Sequence, residues 1–256
     1  MSTFCSWRLD NSEFNDAQLE LIAHASPDVL ALQNTSSDYY ARLKHSEFFS
    51  YSCFQRSANG IGHAIFSQYP LGDYYLIAPT LREYPLVRYV ALPTGMITML
   101  VLSAAAPTGM DLSVLNQLSG PVVVAAAALP NNFDMQTFTY NAESGTIGHR
   151  LLLANPCEGL SDVYQRYISL NPALKRAIQS MRPRGPIVLA STKRSERRCT
   201  SEFLLANNKL LTYHCEYRLN EACATGVQYA LISAELIVDH PSVHPFKTRF
   251  QSAERA

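Results

Sequence analysis

Apolar residues in this chain occur in many short runs that are separated by turn-forming residues. The two longest runs, Met96–Ala106 and Pro121–Leu129, have the length of a β-strand. A membrane-spanning helix needs about 18 to 20 consecutive apolar residues, so we expect no membrane span. Pro93-Thr94-Gly95 and Asn59-Gly60 are typical turn sequences between such runs. The pattern therefore predicts a fold built mainly from short strands.

Segments with helical spacing of apolar residues interrupt the strands. The predicted helices are Asn15–His24, with cap-type residues at Asn11 and Ser12, then Ser36–Leu43, Gly148–Ala154 and Leu160–Ala177. The predicted strands are Phe4–Leu9, Asp28–Gln33, Tyr51–Gln55, Ala64–Gln68, Tyr74–Ala78, Val87–Leu92, Met96–Ser103, Pro121–Ala128, Ser201–Ala206, Leu210–Arg218 and Tyr229–Val238. About ten apolar strands mixed with helices favour two sheets with helices on their outer faces.

The chain shows no Gly/Ser-rich linker or low-complexity block that would divide it. We therefore expect one domain over residues 1–238, followed by an irregular C-terminal extension over 239–256. The 256 residues are enough to bury one large core.

Composition narrows the function classes. The chain has 21 basic and 21 acidic side chains and 47% hydrophobic residues, which argues against a disordered tail and a strongly basic nucleic-acid coat. Its six cysteines form no CxxC pair, so we expect free thiols in a reducing compartment. The first residues do not resemble a secretory signal. We expect an intracellular protein of the cytoplasm or nucleus, and a mitochondrial location stays open.

Six segments of the sequence can be compared, in their order along the chain, with the motifs of known folds. They are Ser6–Leu9, Pro27–Asn34, Gly60–Leu71, Pro121–Ala125, Cys199–Leu205 and Tyr229–Leu236. In this order they resemble the motifs of the endonuclease/exonuclease/phosphatase (DNase I-like) superfamily, and residues 51–71 with Cys199-Thr200 are most similar to the nocturnin and deadenylase branch. The resemblance implies a four-layer α/β sandwich of two mixed β-sheets flanked by helices. In active members it also implies magnesium-dependent cleavage of phosphate esters.

The residues that carry this chemistry in the superfamily are replaced here. The resemblance places Arg8 at a phosphate-orienting Asn, Asn34 at a metal-binding Glu, Ala105 near a His, Ala127 and Leu129 at the Asp and Asn of a Gly-Asp-Phe-Asn motif, and Gln228 and Tyr229 at a terminal Asp-His pair. Glu202 alone keeps an acid, in place of Asp. Hydrolysis of this kind needs a metal ion and a base that activates water. We therefore expect no catalytic residue, no metal and no cofactor.

The leading hypothesis is a pseudoenzyme: a catalytically inactive, structural or protein-binding subunit of a larger assembly, with ribonucleoprotein complexes among the candidates. The first alternative is a divergent magnesium-dependent phosphodiesterase or RNase that retains Glu202. Glu202 can also be interpreted as a purely structural residue, an ion-paired or strand-edge carboxylate. His63 is interpreted as a core histidine with a hydrogen-bond partner, and His214-Cys215 with Cys223 lacks the spacing of a zinc site.

The second alternative rests on a basic segment over residues 175–198. It contains a single acid, Glu196, and eight cations: Lys175, Arg176, Arg182, Arg184, Lys193, Arg194, Arg197 and Arg198. One interpretation is a solvated loop, because Arg-Pro-Arg-Gly-Pro cannot be helical throughout. The other is a docking surface for RNA or an acidic protein partner. The sequence leaves both open.

Overall fold

Two six-stranded β-sheets form the framework of the protein in the computed structural model. The structure describes residues 1–10, 12–56, 60–73, 86–102, 120–127, 133–134, 139–140, 161–173 and 202–239. The strands of the first sheet are β1 (Ser2–Arg8), β2 (Val29–Ser36), β3 (Tyr51–Arg56), β4 (Ile61–Ser67), β13 (Leu210–Arg218) and β14 (Leu231–Val238). The strands of the second are β5 (Leu71–Asp73), β6 (Leu86–Leu92), β7 (Gly95–Leu102), β8 (Val122–Ala127), β11 (Ser161–Asp162) and β12 (Glu202–Ala206). A separate ribbon pairs β9 (Phe133–Asp134) with β10 (Thr139–Tyr140).

Both sheets are mixed, as the sequence predicts. The strand order of the first sheet is β13-β14-β1-β2-β4-β3, and that of the second is β11-β12-β8-β7-β6-β5. Parallel pairs occur between β1 and β2 and between β7 and β8, whereas the other pairs are antiparallel. The last two strands return to the first sheet beside β1, so both ends of the described chain lie in one sheet.

Four helices accompany the sheets in the described ranges: α1 (Asp16–Ala25), α2 (Ser37–His45), α3 (Val163–Leu170) and α4 (Leu219–Ala224). Helix α1 begins after Asn15, whose side chain accepts from the backbone N–H of Gln18 at 3.0 Å while the Gln18 side chain accepts from Asn15 N–H. This reciprocal capping box, and not Asn11 or Ser12, starts the helix. Ser36 caps α2, since its side-chain oxygen accepts from Tyr39 N–H at 3.1 Å. None of these helices is long and apolar enough to cross a membrane.

The buried apolar residues form two clusters, one on each side of the first sheet. The inner cluster lies between the sheets and includes Phe4, Ile65, Met99 and Val101. The outer cluster lies under α1 and α2. Alternation along each strand sends neighbouring side chains to opposite clusters. On β1 this alternation sends Phe4 inward and Trp7 outward.

The described structure departs from the predicted secondary structure in several places. Helix α4 and the strands β9 and β10 lie in no predicted element. The helix predicted from Leu160 begins at Val163 instead, because residues 161–162 form a short strand that pairs with the end of β12, and this pairing overrides a weak helical preference. The predicted strand Tyr74–Ala78 and helix Gly148–Ala154 lie outside the described residues. The proposed boundary between 1–238 and 239–256 stays a prediction, since the structure describes the chain only to Asp239.

Candidate functional site

Strand ends from both sheets meet at one end of the sandwich. Arg8 is the last residue of β1, Asn34 lies near the end of β2, and Glu202 is the first residue of β12. Tyr229 lies just before β14. We call these four residues and Asp10 the strand-end cluster. The structure thus brings together four positions that the sequence singled out.

Arg8 is the centre of the cluster. Its Nε donates to Asp10 Oδ1 at 2.7 Å, and its Nη1 donates to Glu202 Oε1 at 3.3 Å. Because β1 and β12 belong to different sheets, this guanidinium links the two sheets across the sandwich. Burial by itself would lower the pKa of Arg8, but the hydrogen bond to Asp10 and the charges of Asp10 and Glu202 raise it. Arg8 therefore stays a cation at every physiological pH.

Asp10 is the residue of the cluster that sequence reasoning missed. Its Oδ1 accepts from Arg8 and also from Asn34 Nδ2 at 2.9 Å. Partial burial would raise the pKa of this carboxyl, but the hydrogen bonds from Arg8, Asn34 and Tyr229 lower it below its usual value. Asp10 is therefore an ionised carboxylate whose charge the cluster itself neutralises.

The backbone at this site takes an uncommon conformation twice. Asp10 has φ of 47° and Asn34 has φ of 53°, both in the left-handed region. Among residues with a side chain, Asn and Asp tolerate this region best. A turn-type pair, Asp10-Asn11, directly after the first strand was the sequence signal that could have identified Asp10.

Tyr229 forms one wall of the cluster. The Arg8 guanidinium carbon lies 4.3 Å from the centroid of its ring, a cation–π contact, and its hydroxyl donates to Asp10. Its backbone carbonyl accepts from Nε1 of the buried Trp7 at 3.0 Å, which fixes the segment before β14 against β1. Burial, followed by the hydrogen bond to Asp10, raises the pKa of the phenol. Tyr229 is therefore a neutral hydrogen-bond donor at neutral pH, and no proton-accepting base.

Glu202 is almost fully buried, with 1% of the residue exposed. It lies opposite Ala127 in the antiparallel register of β12 and β8. A carboxylate removed from water in this way needs a compensating charge, and Arg8 supplies it. The structure therefore supports the ion-paired interpretation of Glu202.

A polar row crosses the inner face of the first sheet at the level of Arg8. Arg8 pairs in register with Gln33 of β2, and His63 of β4 pairs with Gln55 of β3. Gln33 Nε2 donates to Ser6 Oγ at 3.0 Å. Gln33 Oε1 and His63 Nδ1 are buried without a hydrogen-bond partner in the part of the chain that the structure describes. The partner predicted for His63 is thus missing at Nδ1, and burial lowers the pKa of this imidazole to about 4.

The donor set does not fit the magnesium ion that the resemblance implies. Mg²⁺ requires oxygen ligands, usually carboxylates together with several waters. Here both carboxylates of the cluster bind the Arg8 guanidinium, which would repel a second cation at short range. Among the described residues no group of three His, Cys, Asp or Glu side chains could hold a metal.

Only two of the other positions from the sequence analysis lie among the described residues. Gln228 is exposed to solvent beside Tyr229, and Ala127 is described by its backbone pairing with Glu202. Ala105 and Leu129 lie outside the described residues, as does the whole set of basic positions: Lys175, Arg176, Arg182, Arg184, Lys193, Arg194, Arg197 and Arg198.

Comparison with known proteins agrees with this architecture. No protein-family model and no curated protein sequence matches the chain. Among solved structures, an endonuclease/exonuclease/phosphatase from Beutenbergia cavernae aligns with TM-score 0.63 and 14% identity over 95% of this chain and 73% of that one. A humanized D. rerio TDP2 aligns with TM-score 0.61 and 13% identity over 92% of this chain and 98% of that one. An AP endonuclease from Archaeoglobus fulgidus aligns with TM-score 0.58 and 12% identity over 93% of this chain and 100% of that one. The chain therefore has the fold of the endonuclease/exonuclease/phosphatase superfamily, two mixed sheets of the DNase I-like type.

Proposed function

We propose that this protein is a catalytically inactive member of the superfamily, which acts as a structural or protein-binding subunit of a larger assembly. The observation that carries the proposal is the position of Arg8. Its guanidinium binds both carboxylates of the strand-end cluster, Asp10 at 2.7 Å and Glu202 at 3.3 Å. Neither carboxylate is therefore free of a cation, and Asn34 offers no charge at the position where the resemblance places the metal-binding Glu.

The chemistry that remains at the cluster is poor for hydrolysis. A positioned general base contributes about 10²–10⁴ to the rate of such reactions. The cluster offers an ionised Asp10 that already accepts hydrogen bonds from Arg8, Asn34 and Tyr229, and a Tyr229 whose pKa is raised. Neither group can take a proton from water efficiently at neutral pH. The cluster is instead suited to hold the two sheets together.

A magnesium titration with matched variants tests the proposal. Wild type, Glu202→Gln and Arg8→Asn would be titrated with MgCl₂ by calorimetry and assayed with poly(A) RNA and bis(p-nitrophenyl) phosphate. We expect no Mg²⁺ binding and no turnover above the buffer rate for wild type. Mg²⁺-dependent turnover that Glu202→Gln abolishes would refute the proposal and establish the divergent phosphodiesterase or RNase instead.

A second candidate function, RNA binding, rests on the eight cations of segment 175–198. Reversing Arg194, Arg197 and Arg198 to Glu would abolish a salt-dependent interaction with a single-stranded RNA probe if the segment binds RNA. Unchanged affinity after this reversal would exclude the segment as the RNA site. The nearness to the nocturnin and deadenylase branch is part of this candidate, since members of that branch act on RNA.

The intracellular location is also a proposal. The described cysteines, Cys5, Cys53, Cys215 and Cys223, are free thiols, which is the state expected in a reducing compartment. Purification from native extract would test both location and assembly: we expect migration well above the 28.5 kDa of the single chain.

A further inference from the structure

Three of the four large apolar side chains that are exposed among the described residues belong to the first sheet or its N-terminal end, and the fourth, Leu170, lies on α3. Leu211 and Tyr213 of β13 are 50% and 65% exposed, and Met1 is 60% exposed. Leu211 pairs with Ile237 of β14. Ser2 pairs with Leu236, which places Met1 opposite Ile237 on the other side of β14. Met1, Ile237 and Leu211 therefore form one continuous apolar row across three strands.

This row lies on the outer face of the sheet. Leu236 and Leu210, the sequence neighbours of Ile237 and Leu211, belong to the inner cluster, so the alternation of a strand turns Ile237 and Leu211 outward. Helices α1 and α2 cover the outer face over β1, β2 and β4, and the outer cluster beneath them contains no residue of β13. The helix layer of the described structure thus stops short of this corner.

Acidic side chains flank the apolar row. Glu235 lies two residues before Ile237 and faces the same side of β14, and Asp239 directly follows the end of this strand. Neither carboxylate has an ion-pair partner among the residues described. Lys209, which directly precedes β13, is exposed, and its backbone carbonyl accepts from Asp239 N–H at 3.0 Å. An occupant of this corner would therefore need apolar side chains in its middle and positive charges at its ends.

The edge of the sheet favours a helix over an added strand. Helix α3 packs against β13: the rings of Tyr167 and His214 meet edge to face with centroids 5.1 Å apart, and Arg166 Nη1 donates to the carbonyl of Leu210 at 3.0 Å. A bulge at Tyr213 also breaks the regular register of β13. Covered and bulged edges resist the addition of another strand. The outer face itself is available, and helices cover the same face elsewhere in the molecule.

We propose that this corner, the open face formed by Met1, Leu211, Tyr213, Glu235, Ile237 and Asp239, docks an amphipathic helix of a protein partner. The helix would pack a stripe of Leu-type side chains on the apolar row and place Lys or Arg near Glu235 and Asp239. The four residue steps from Glu235 to Asp239 span at most about 13 Å when extended, and two turns of a helix span about 11 Å. The inference rests on the proposed function as a protein-binding subunit and names its docking surface.

The test uses two synthetic helical peptides that carry the same stripe of apolar side chains. One peptide has two lysines that are two helical turns apart, and the other has glutamates at the same two positions. Fluorescence anisotropy would measure their binding to wild type, to Leu211→Ser/Tyr213→Ser, and to Glu235→Lys/Asp239→Lys. The control is Leu170→Ser, because this leucine is 67% exposed on α3 and α3 packs on the inner cluster. Circular dichroism would establish that every variant is folded.

We expect the lysine peptide to bind wild type and the Leu170→Ser control equally, and about tenfold more weakly to the apolar double variant. The charge-reversed variant should instead prefer the glutamate peptide. Equal binding of both peptides to wild type, or no effect of the apolar double variant, would overturn the inference. Self-association of wild type in sedimentation that this variant abolishes would also overturn it, by assigning the face to a second copy. The magnesium and turnover assays do not involve this face, so failure here is distinct from failure of the proposed function.

Discussion

Removal of the Arg8 guanidinium should destabilise the protein far more than removal of an exposed arginine. In Arg8→Met, the carboxylate of Glu202, 1% exposed, loses its compensating cation, and Asp10 loses its closest donor. Breaking a buried ion pair from one side costs about 3–5 kcal/mol, because an uncompensated charge stays buried. The lost contact with the Tyr229 ring adds to this cost.

A double-mutant cycle measures how much of this loss is the pair itself. Urea unfolding would give the free energy of unfolding of wild type, Arg8→Met, Glu202→Gln and the double variant. Because Gln removes the orphaned charge, the double variant should recover a large part of the stability lost in Arg8→Met, with a coupling energy of about 1–3 kcal/mol.

Arg42→Met is the matched control. Arg42 pairs with Asp38 at 3.0 Å, but both side chains are largely exposed at 60% and 73%. Solvent-screened pairs of this kind contribute about 0.5 kcal/mol or less. If Arg8→Met costs no more than Arg42→Met, or if the cycle shows no coupling, Arg8 is not the internal counter-ion of Glu202 and the reasoning is wrong.

Three further predictions concern the scaffold around the site. The pKa of His63 is about 4 in the folded protein, against 6.5 for a free imidazole. The unfolded state therefore takes up the proton first as the pH falls, and the free energy of unfolding decreases between about pH 6.5 and 4, by about 3 kcal/mol at most. Urea unfolding across this range should show a flatter pH profile for His63→Gln than for wild type. A methyl group at Gly62 would overlap the carbonyl of Gln55 on β3, so Gly62→Ala should lower the free energy of unfolding by about 1–3 kcal/mol. An unchanged melting temperature would contradict the close approach of the two strands. Asn15→Ala should cost about 0.5–2 kcal/mol through loss of the cap of α1, whereas Asn15→Asp, which keeps the acceptor for Gln18 N–H, should retain most of that stability in the same unfolding assay.

The acids of the strand-end cluster are balanced within the cluster itself. Carboxylates placed close together repel one another unless a cation or hydrogen-bond donors compensate their charge. Here Arg8 binds Asp10 and Glu202, and Asn34 donates a further hydrogen bond to Asp10. Arg8 thereby also joins the two sheets at this end of the sandwich, because Glu202 begins β12 of the second sheet.

The sequence by itself determined the elements of the fold. Leu210–Arg218 was predicted with the bounds that the structure shows, and Val122–Ala127 differs from its prediction by one residue at each end. These strands are buried apolar runs between turn residues, and both signals are local in the chain. The order of motifs was sufficient to predict two mixed sheets, and the resemblance that it implies placed Arg8, Asn34, Glu202 and Tyr229 among the positions of one site.

Only the tertiary structure decided what these residues do to one another. Arg8 and Glu202 are separated by 194 positions, so their contact depends on the return of β12 beside β8 and on the packing of one sheet over the other. Asp10 entered the site because the chain takes a left-handed turn just after β1, which no apolar pattern records. Likewise, the exposure of Leu211 and Tyr213 reflects which helices cover the sheet and where they stop. Local sequence patterns are therefore enough to predict helices and strands. Contacts between distant strand ends depend on strand register and on the packing of the sheets, which no local pattern contains.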